Sequence, residues 1–234
     1  MSRPQAISRP LLVLDSATRH PVVALADTNG TLLATRQWES RHRHGEELLQ
    51  GVDGLLAESG VARRELAGVI VGTGPGSFTG LRIGLATAKV IAYSLGIPLV
   101  GVSSTHALAQ AVAIKGDVAV TLPAGASDSY VHLIATRGET EIARLVGSPA
   151  DLRAAVGGAT RVAVDTGDDA APSDAIERGH RAVAGLAAAL AGLGAAALES
   201  GTIDDPARLV PAYVALPRGI ARAAAEMEWS PDLR

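Results

Sequence analysis

LAGVIVGTGPGSFTGLRIGLATAK, residues 66–89, decides the fold. Leu66 to Val71 reads as a buried strand, the glycine-rich stretch 72–80 as a tight passage, and the residues from about Gly80 to Leu95 as a helix ended by Gly96-Ile97-Pro98. Leu99 to Val102 supplies the next strand, and Ser103-Ser104-Thr105 caps a helix to about Ile114. This is a β-α-β unit with a glycine turn at the first strand-to-helix junction.

The glycine turn fails three familiar templates. A P-loop requires a lysine after its last glycine, and none is present. A dinucleotide fingerprint requires G-x-G-x-x-G, but Ser77 or Thr79 stands where the third glycine would be. A nucleophile elbow requires G-x-S-x-G, and Ser77 directly follows Gly76. What the segment does carry is a small residue at every fourth position: Gly76, Gly80, Gly84, Ala88, Ala92 and Gly96. On a helix these share one face, almost free of side chains, along which another backbone can approach closely. Packing onto the chain's own sheet and packing onto another subunit are both open uses. The loop amides at the helix start are a third, as an anion site.

Upstream, Leu11–Asp15, Val22–Ala26 and Leu32–Glu39 are three apolar runs, the last two joined by Asp27-Thr28-Asn29-Gly30, a hairpin signal. Residues 46–58 place Leu48, Leu49, Val52, Leu55 and Leu56 at helical spacing, with Glu46 and Glu47 in the first turn and Gly60 as a stop. The order βββαβαβα predicts an α/β lobe built on a mixed sheet. Lys115-Gly116-Asp117 marks a boundary, giving a first lobe over 1–115 and a smaller α/β lobe over 116–234. In the latter, 118–122, 130–136 and 161–164 read as strands, and 149–156 and 180–198 as helices.

The 234 residues include 44 alanines and 26 glycines against six aromatics, so the core must be packed through small side chains. Arginine outnumbers lysine 19 to 2, as a GC-rich genome would give, so codon bias and close packing are both open readings of the alanine excess. A net charge of −3 provides no basic footprint for autonomous nucleic-acid binding. The absence of cysteine excludes disulfides, thiolate nucleophiles and Cys-rich zinc sites. MSRPQAISRP lacks the pattern of a secretion signal, and 182–198 contains no stretch of membrane-level hydrophobicity on this reading, so a cytoplasmic protein without membrane contact is expected.

GTGPGSFTGLRIGLATAK (72–89), LDSAT (14–18), HGEELL (44–49) and GIPLVGVSSTHALA (96–109) together resemble the TsaB (YeaZ) family, the dimerisation subunit of the bacterial machinery that makes threonylcarbamoyladenosine in tRNA. The second half matches weakly, through Tyr130 and Pro211-x-Tyr213. The resemblance implies the two-lobed ASKHA fold of actin and the sugar kinases. It also implies a four-helix interface, formed by the helices at about 45–59 and 80–95, with the catalytic paralogue TsaD or with a second copy of the chain. The residues expected there are Glu46, Leu48, Leu49 and Val52 of the first helix and Gly80, Leu81, Gly84, Leu85, Ala88 and Lys89 of the second. Gly74, Pro75, Gly76, Ser77 and Thr79 form the glycine-rich loop beside them. A TsaE-type ATPase would join through the complex, and tRNA would be met only within it. No cofactor, metal or catalytic residue is assigned to the chain itself. The family's D-A-R-R-G-E-V-Y segment is replaced by residues 123–130, PAGASDSY, which lack its first Asp and both Arg.

Other chemistry is weaker. His42 and His44 are two apart and precede the helix, unlike metal ligands four apart on a helix, and with Arg41 and Arg43 they form the best basic cluster for a tRNA phosphate. Asp15 ends the first strand, where ASKHA kinases place a phosphate-facing aspartate, but Ser-Ala-Thr follows it, which suits a turn. Ser77 beside a histidine makes no triad without geometry, and His20, His106, His132 and His180 read as isolated. The expected function is a non-catalytic scaffold that binds TsaD and supports threonylcarbamoyl transfer to the adenosine 3′ of the anticodon. The rival is an independently active ASKHA nucleotide-dependent transferase or glycoprotease-like hydrolase.

Overall fold

The computed structural model describes residues 9–40, 44–124, 128–135, 142–167 and 170–214. Strands β1 (Leu11–Asp15), β2 (Val22–Ala26) and β3 (Leu32–Gln37) form the expected antiparallel meander. Gly30 turns the β2–β3 hairpin at φ +83°, and Asp27 Oδ1 accepts from the amides of Asn29 and Thr31. Helix α1 (His44–Ser59) leads to β4 (Gly68–Gly72), which lies parallel to β1. Helix α2 (Phe78–Leu95) leads to β5 (Leu99–Val102), parallel to β4. The sheet order is β3-β2-β1-β4-β5. Gly96 ends α2 in the left-handed conformation, as its sequence position predicts.

Helix α3 (Ser104–Ala111) crosses to the second sheet. That sheet is built from β6 (Val118–Pro123), β7 (Ser129–Ile134), β8 (Ile142–Val146) and β9 (Thr160–Ala163), with α4 (Pro149–Val156) between the last two and the order β8-β7-β6-β9. β8 is absent from the sequence reading. The two sheets share one apolar layer. Leu11, Val13 and Ile70 from the first sheet and Val118, Val120 and Val162 from the second meet α3 and the last helix, α5 (Ser173–Glu199). The alternate β1 residues, Leu12 and Leu14, point the other way, under α1 and α2.

Two expectations about α5 are corrected. The helix starts at Ser173 rather than near residue 180, and by length and composition it is apolar enough to cross a membrane. Here its apolar face packs inside the protein, and small residues make that packing possible. A Cβ on Gly179 would lie 1.8 Å from the Ala163 carbonyl oxygen, and one on Gly194 would lie 2.5 Å from Ile70 side-chain atoms. The alanines and glycines of this helix therefore have a structural use beyond codon bias.

The boundary at 115/116 separates the two sheets, but the chain after α5 returns to the first one. The Asp204 amide donates to the Leu99 carbonyl and the Gly101 amide to Asp204 Oδ2, both at 2.8 Å, while the Ala212 amide donates to the Thr73 carbonyl. Residues 204–213 thus lie along β5 and belong with the first lobe.

Candidate partner-binding face and inter-lobe cleft

The glycine-rich loop is a clamp between the end of β1 and the start of α2. Gly72 stands where any Cβ would fall 1.7 Å from Asp15 Oδ2, and Gly76 where it would fall 2.2 Å from the Ala17 carbonyl oxygen. Gly74 takes φ +93°, its amide donates to Ser104 Oγ, and Pro75 after it is buried. The Ser77 amide donates to the Ala17 carbonyl at 2.7 Å, and Ser77 Oγ accepts from the Gly80 amide as the N-cap of α2. Ser77 is thus a capping residue, and Thr79 lies exposed beside it.

Asp15 is fully buried. Burial pushes its carboxyl up to about 6, against the lowering effect of hydrogen bonds from Ser104 Oγ to Oδ2 (2.5 Å) and from the Ala17 amide to Oδ1 (2.8 Å). One carboxylate therefore ties together β1, the turn after it and the start of α3.

A cleft of about 390 Å³ opens between the lobes, with Ala17, Thr18, Arg19 and Ser77 on one side and Leu122, Pro123 and Asp165 on the other; Asp15 does not line it. Asp165 closes one end. Its Oδ2 accepts from the Arg19 amide (2.7 Å), its carbonyl accepts from Arg19 Nη2 (2.8 Å), and its Oδ1 stands 3.2 Å from His20 Nδ1. His20 is therefore not isolated, nor is His132, whose Nδ1 makes a hydrogen bond with Thr105 Oγ1. Arg19 and Asp165 lie 146 positions apart, and no local pattern joins them.

The small-residue stripe of α2 faces inward. A Cβ on Gly80 would lie 2.0 Å from the Ser16 carbonyl oxygen and one on Gly84 2.4 Å from Ser16 Oγ, and Ser16 Oγ donates to the Gly80 carbonyl at 2.8 Å. Leu81, Leu85, Ala88 and Ala92 are buried with them. The assignment of Gly80, Leu81, Gly84, Leu85 and Ala88 as partner contacts is corrected accordingly: these residues dock α2 onto its own sheet. Leu48 and Val52 of α1 are likewise buried in that layer. Among the expected contacts, Leu49 is 51% exposed and Lys89 half-buried.

The outward face of α2 carries two residues that the sequence reading missed, Val90 at 67% and Tyr93 at 83% exposure. Their spacing of three, on the side opposite the small stripe, was the available signal. Arg41, His42 and Arg43 lie outside the described residues, as do the side chains of His44 and Glu46. The altered 123–130 segment spans the β6–β7 connection, where the Ala124 amide donates to the Asp128 carbonyl; 125–127 lie outside the described residues.

The family model for TsaD, tRNA N6-adenosine threonylcarbamoyltransferase, matches residues 38–213. The chain is 36% identical over 100 residues to the tRNA threonylcarbamoyladenosine biosynthesis protein TsaB of Escherichia coli, covering 43% of this chain and 42% of that protein. It is 34% identical over 99 residues to the Bacillus subtilis protein of the same name, covering 42% and 43%. An uncharacterised Mycobacterium leprae protein is 37% identical over 146 residues, covering 61% of this chain and 40% of the relative. The match thus spans less than half the length of each of these curated relatives. Among solved structures, YeaZ from Pseudomonas aeruginosa superposes with a TM-score of 0.60 at 25% identity, covering 88% of this chain and 99% of that one. The two-lobed ASKHA-type architecture and these matches together place the chain in the TsaB/YeaZ family, within the wider TsaD family whose model it fits.

Proposed function

We propose that the chain is a non-catalytic partner subunit that docks on a TsaD-type protein through the outward face of α1 and α2, and so supports threonylcarbamoyl transfer to the adenosine 3′ of the anticodon in tRNA. The observation that carries this reading is the apolar surface left by Leu49, Val90 and Tyr93 on two helices whose other faces are already buried. A standard interface takes about 800 Å² from each partner, within reach of a pair of helices of 16 and 18 residues. The relatives named for tRNA threonylcarbamoyladenosine biosynthesis support the pathway.

Without TsaD, two copies would pair through the same helices. A TsaE-type ATPase and tRNA would be engaged by the assembled complex, in the cytoplasm. ATP, metal and the threonylcarbamoyl donor would belong to the partners. The non-catalytic part of the reading is supported by Asp15, whose two carboxylate oxygens are held inside the fold and do not line the inter-lobe cleft.

Light scattering of the purified chain, alone and mixed with TsaD from the same organism, tests the proposal. The hetero-complex should form at the expense of the self-dimer, and Val90→Asp or Tyr93→Asp should weaken both at least tenfold without changing the fold. Undiminished association of both variants would move the interface elsewhere. ATP turnover by the chain alone, lost in Asp15→Ala, would favour the transferase rival.

A further inference from the structure

We infer that Asp15 is a proton-controlled latch on α2: when its carboxyl loses the proton, the turn after β1 opens and the first turn of α2 loses its seat. The latch lies within one chain, and only its effect on a docked partner rests on the docking reading. Most of the walls around Asp15 are held. Its strand is paired on both sides, with β2 and with β4. Gly72 of β4 leaves no room for a Cβ beside Oδ2, and Ser104, which donates to Oδ2, opens α3, whose Ala107 and Leu108 lie in the apolar layer shared by the two sheets. The wall that can give is the turn Ser16–Thr18. Ala17 and Thr18 line the inter-lobe cleft and Asp15 does not, so this turn stands between the carboxyl and solvent. A charged carboxylate cut off from water gains hydration by displacing it.

The same turn seats α2. The Ala17 carbonyl accepts from the Ser77 amide at 2.7 Å, the Ser16 hydroxyl donates to the Gly80 carbonyl at 2.8 Å, and Gly76 and Gly80 leave no gap between the two backbones. Moving the turn toward the cleft releases the N-cap and first turn of the helix, while Leu85, Ala88 and Ala92 stay packed on the sheet. Among the described residues, Asp165, from the chain after β9, is the charged group that acts on Asp15, and it favours the protonated form. Arg19 and His20 face Asp165, and His132 of β7 bonds to Thr105 of α3. Asp168 and Asp169 lie outside the described residues, and as acids they act in the same direction as Asp165. The bonds from Ser104 and the Ala17 amide favour the charged form, but desolvation exceeds them. The closed carboxyl titrates at about 6 and a solvated one at 3.8, so the open state gains on the closed one as pH rises between these values and levels off above 6.

Amide hydrogen exchange of the full chain, at a concentration where light scattering shows a monomer, tests the latch. Protection of the Ser77, Gly80 and Leu81 amides should fall about tenfold from pH 5 to pH 7. It should not respond to dilute urea, as expected of a local opening. Asp15→Asn, which carries no charge, should abolish the fall. Ser104→Ala removes a hydrogen bond to the charged form, so it should move the midpoint upward, and it decides the matter if Asp15→Asn fails to fold. Protection that does not change with pH, that falls equally in Asp15→Asn, or that is lost only through global unfolding overturns the latch. Failure of the docking reading shows differently, as undiminished association of Val90→Asp and Tyr93→Asp, and leaves these exchange rates untouched.

Discussion

Ser16 and Gly80 hold each other from both directions. The Ser16 hydroxyl donates to the Gly80 carbonyl at 2.8 Å, and the Ser16 carbonyl oxygen occupies the space that a Cβ on Gly80 would need, 2.0 Å away. The start of α2 is therefore seated on the β1–β2 turn with no room for a side chain. Gly80→Ala must push two backbones apart, with an expected cost of about 1–3 kcal/mol. Gly84→Ala meets only the Ser16 hydroxyl, which can rotate away at the loss of one hydrogen bond, so its cost should be smaller. Chemical denaturation of both variants checks the order; equal stabilities would contradict the close seating.

Ala88 and Val90 separate the two faces of α2. Ala88→Leu adds bulk to a fully buried position and should destabilise by about 1–3 kcal/mol, whereas Val90→Ser, at an exposed position, should leave stability within about 0.5 kcal/mol when the chain is dilute enough to be monomeric. Thermal melts of the two variants check this. A stable Ala88→Leu protein would put the small stripe back on the outside.

Asp15 makes stability depend on pH. Its carboxyl titrates at about 6 in the folded chain and at 3.8 without the fold, so between these values the folded form binds more protons. Stability from this group is full below about pH 4 and falls as pH rises through 6, by roughly 3 kcal/mol in total. Asp15→Asn should flatten that slope in denaturation curves recorded from pH 4 to pH 7. An unchanged slope would assign the titration to another group.

Asp165 joins the lobes through Arg19 and His20. It does so at φ +56°, a conformation that Asn tolerates well, so Asp165→Asn removes the charge with little backbone strain. The loss should be about 1 kcal/mol, given the partial exposure of His20 and Arg19. Faster hydrogen exchange is expected at residues 19–20 and 165–166. Unchanged exchange there would mean that the shared apolar layer alone sets the lobe spacing.

Most of the first lobe was legible because its signals are local. Asn29-Gly30 turns the hairpin, Gly96 stops α2, and the leucines of α1 repeat at helical spacing. The four-residue period of Gly80, Gly84 and Ala88 was equally plain, but period reports only that residues share a face. Which neighbour that face meets depends on Ser16, 64 positions from Gly80. Arg19 with Asp165 escaped for the same reason: the pair is made by strand order, not by spacing. β8 was hidden because Ile142–Val146 is short and interrupted by Arg144.

Residues 204–213 have a consequence for how copies of this chain can meet. In a strand paired on one side, every second residue offers its amide and carbonyl to the other side, and in β5 the Leu99 carbonyl and the Gly101 amide are both taken by Asp204. That border of the first sheet is occupied by Asp204 of the same chain, through its backbone amide and its side-chain carboxylate. A second molecule cannot extend the sheet at that edge by adding a strand, which leaves β3 as the border of this sheet where another strand could be added.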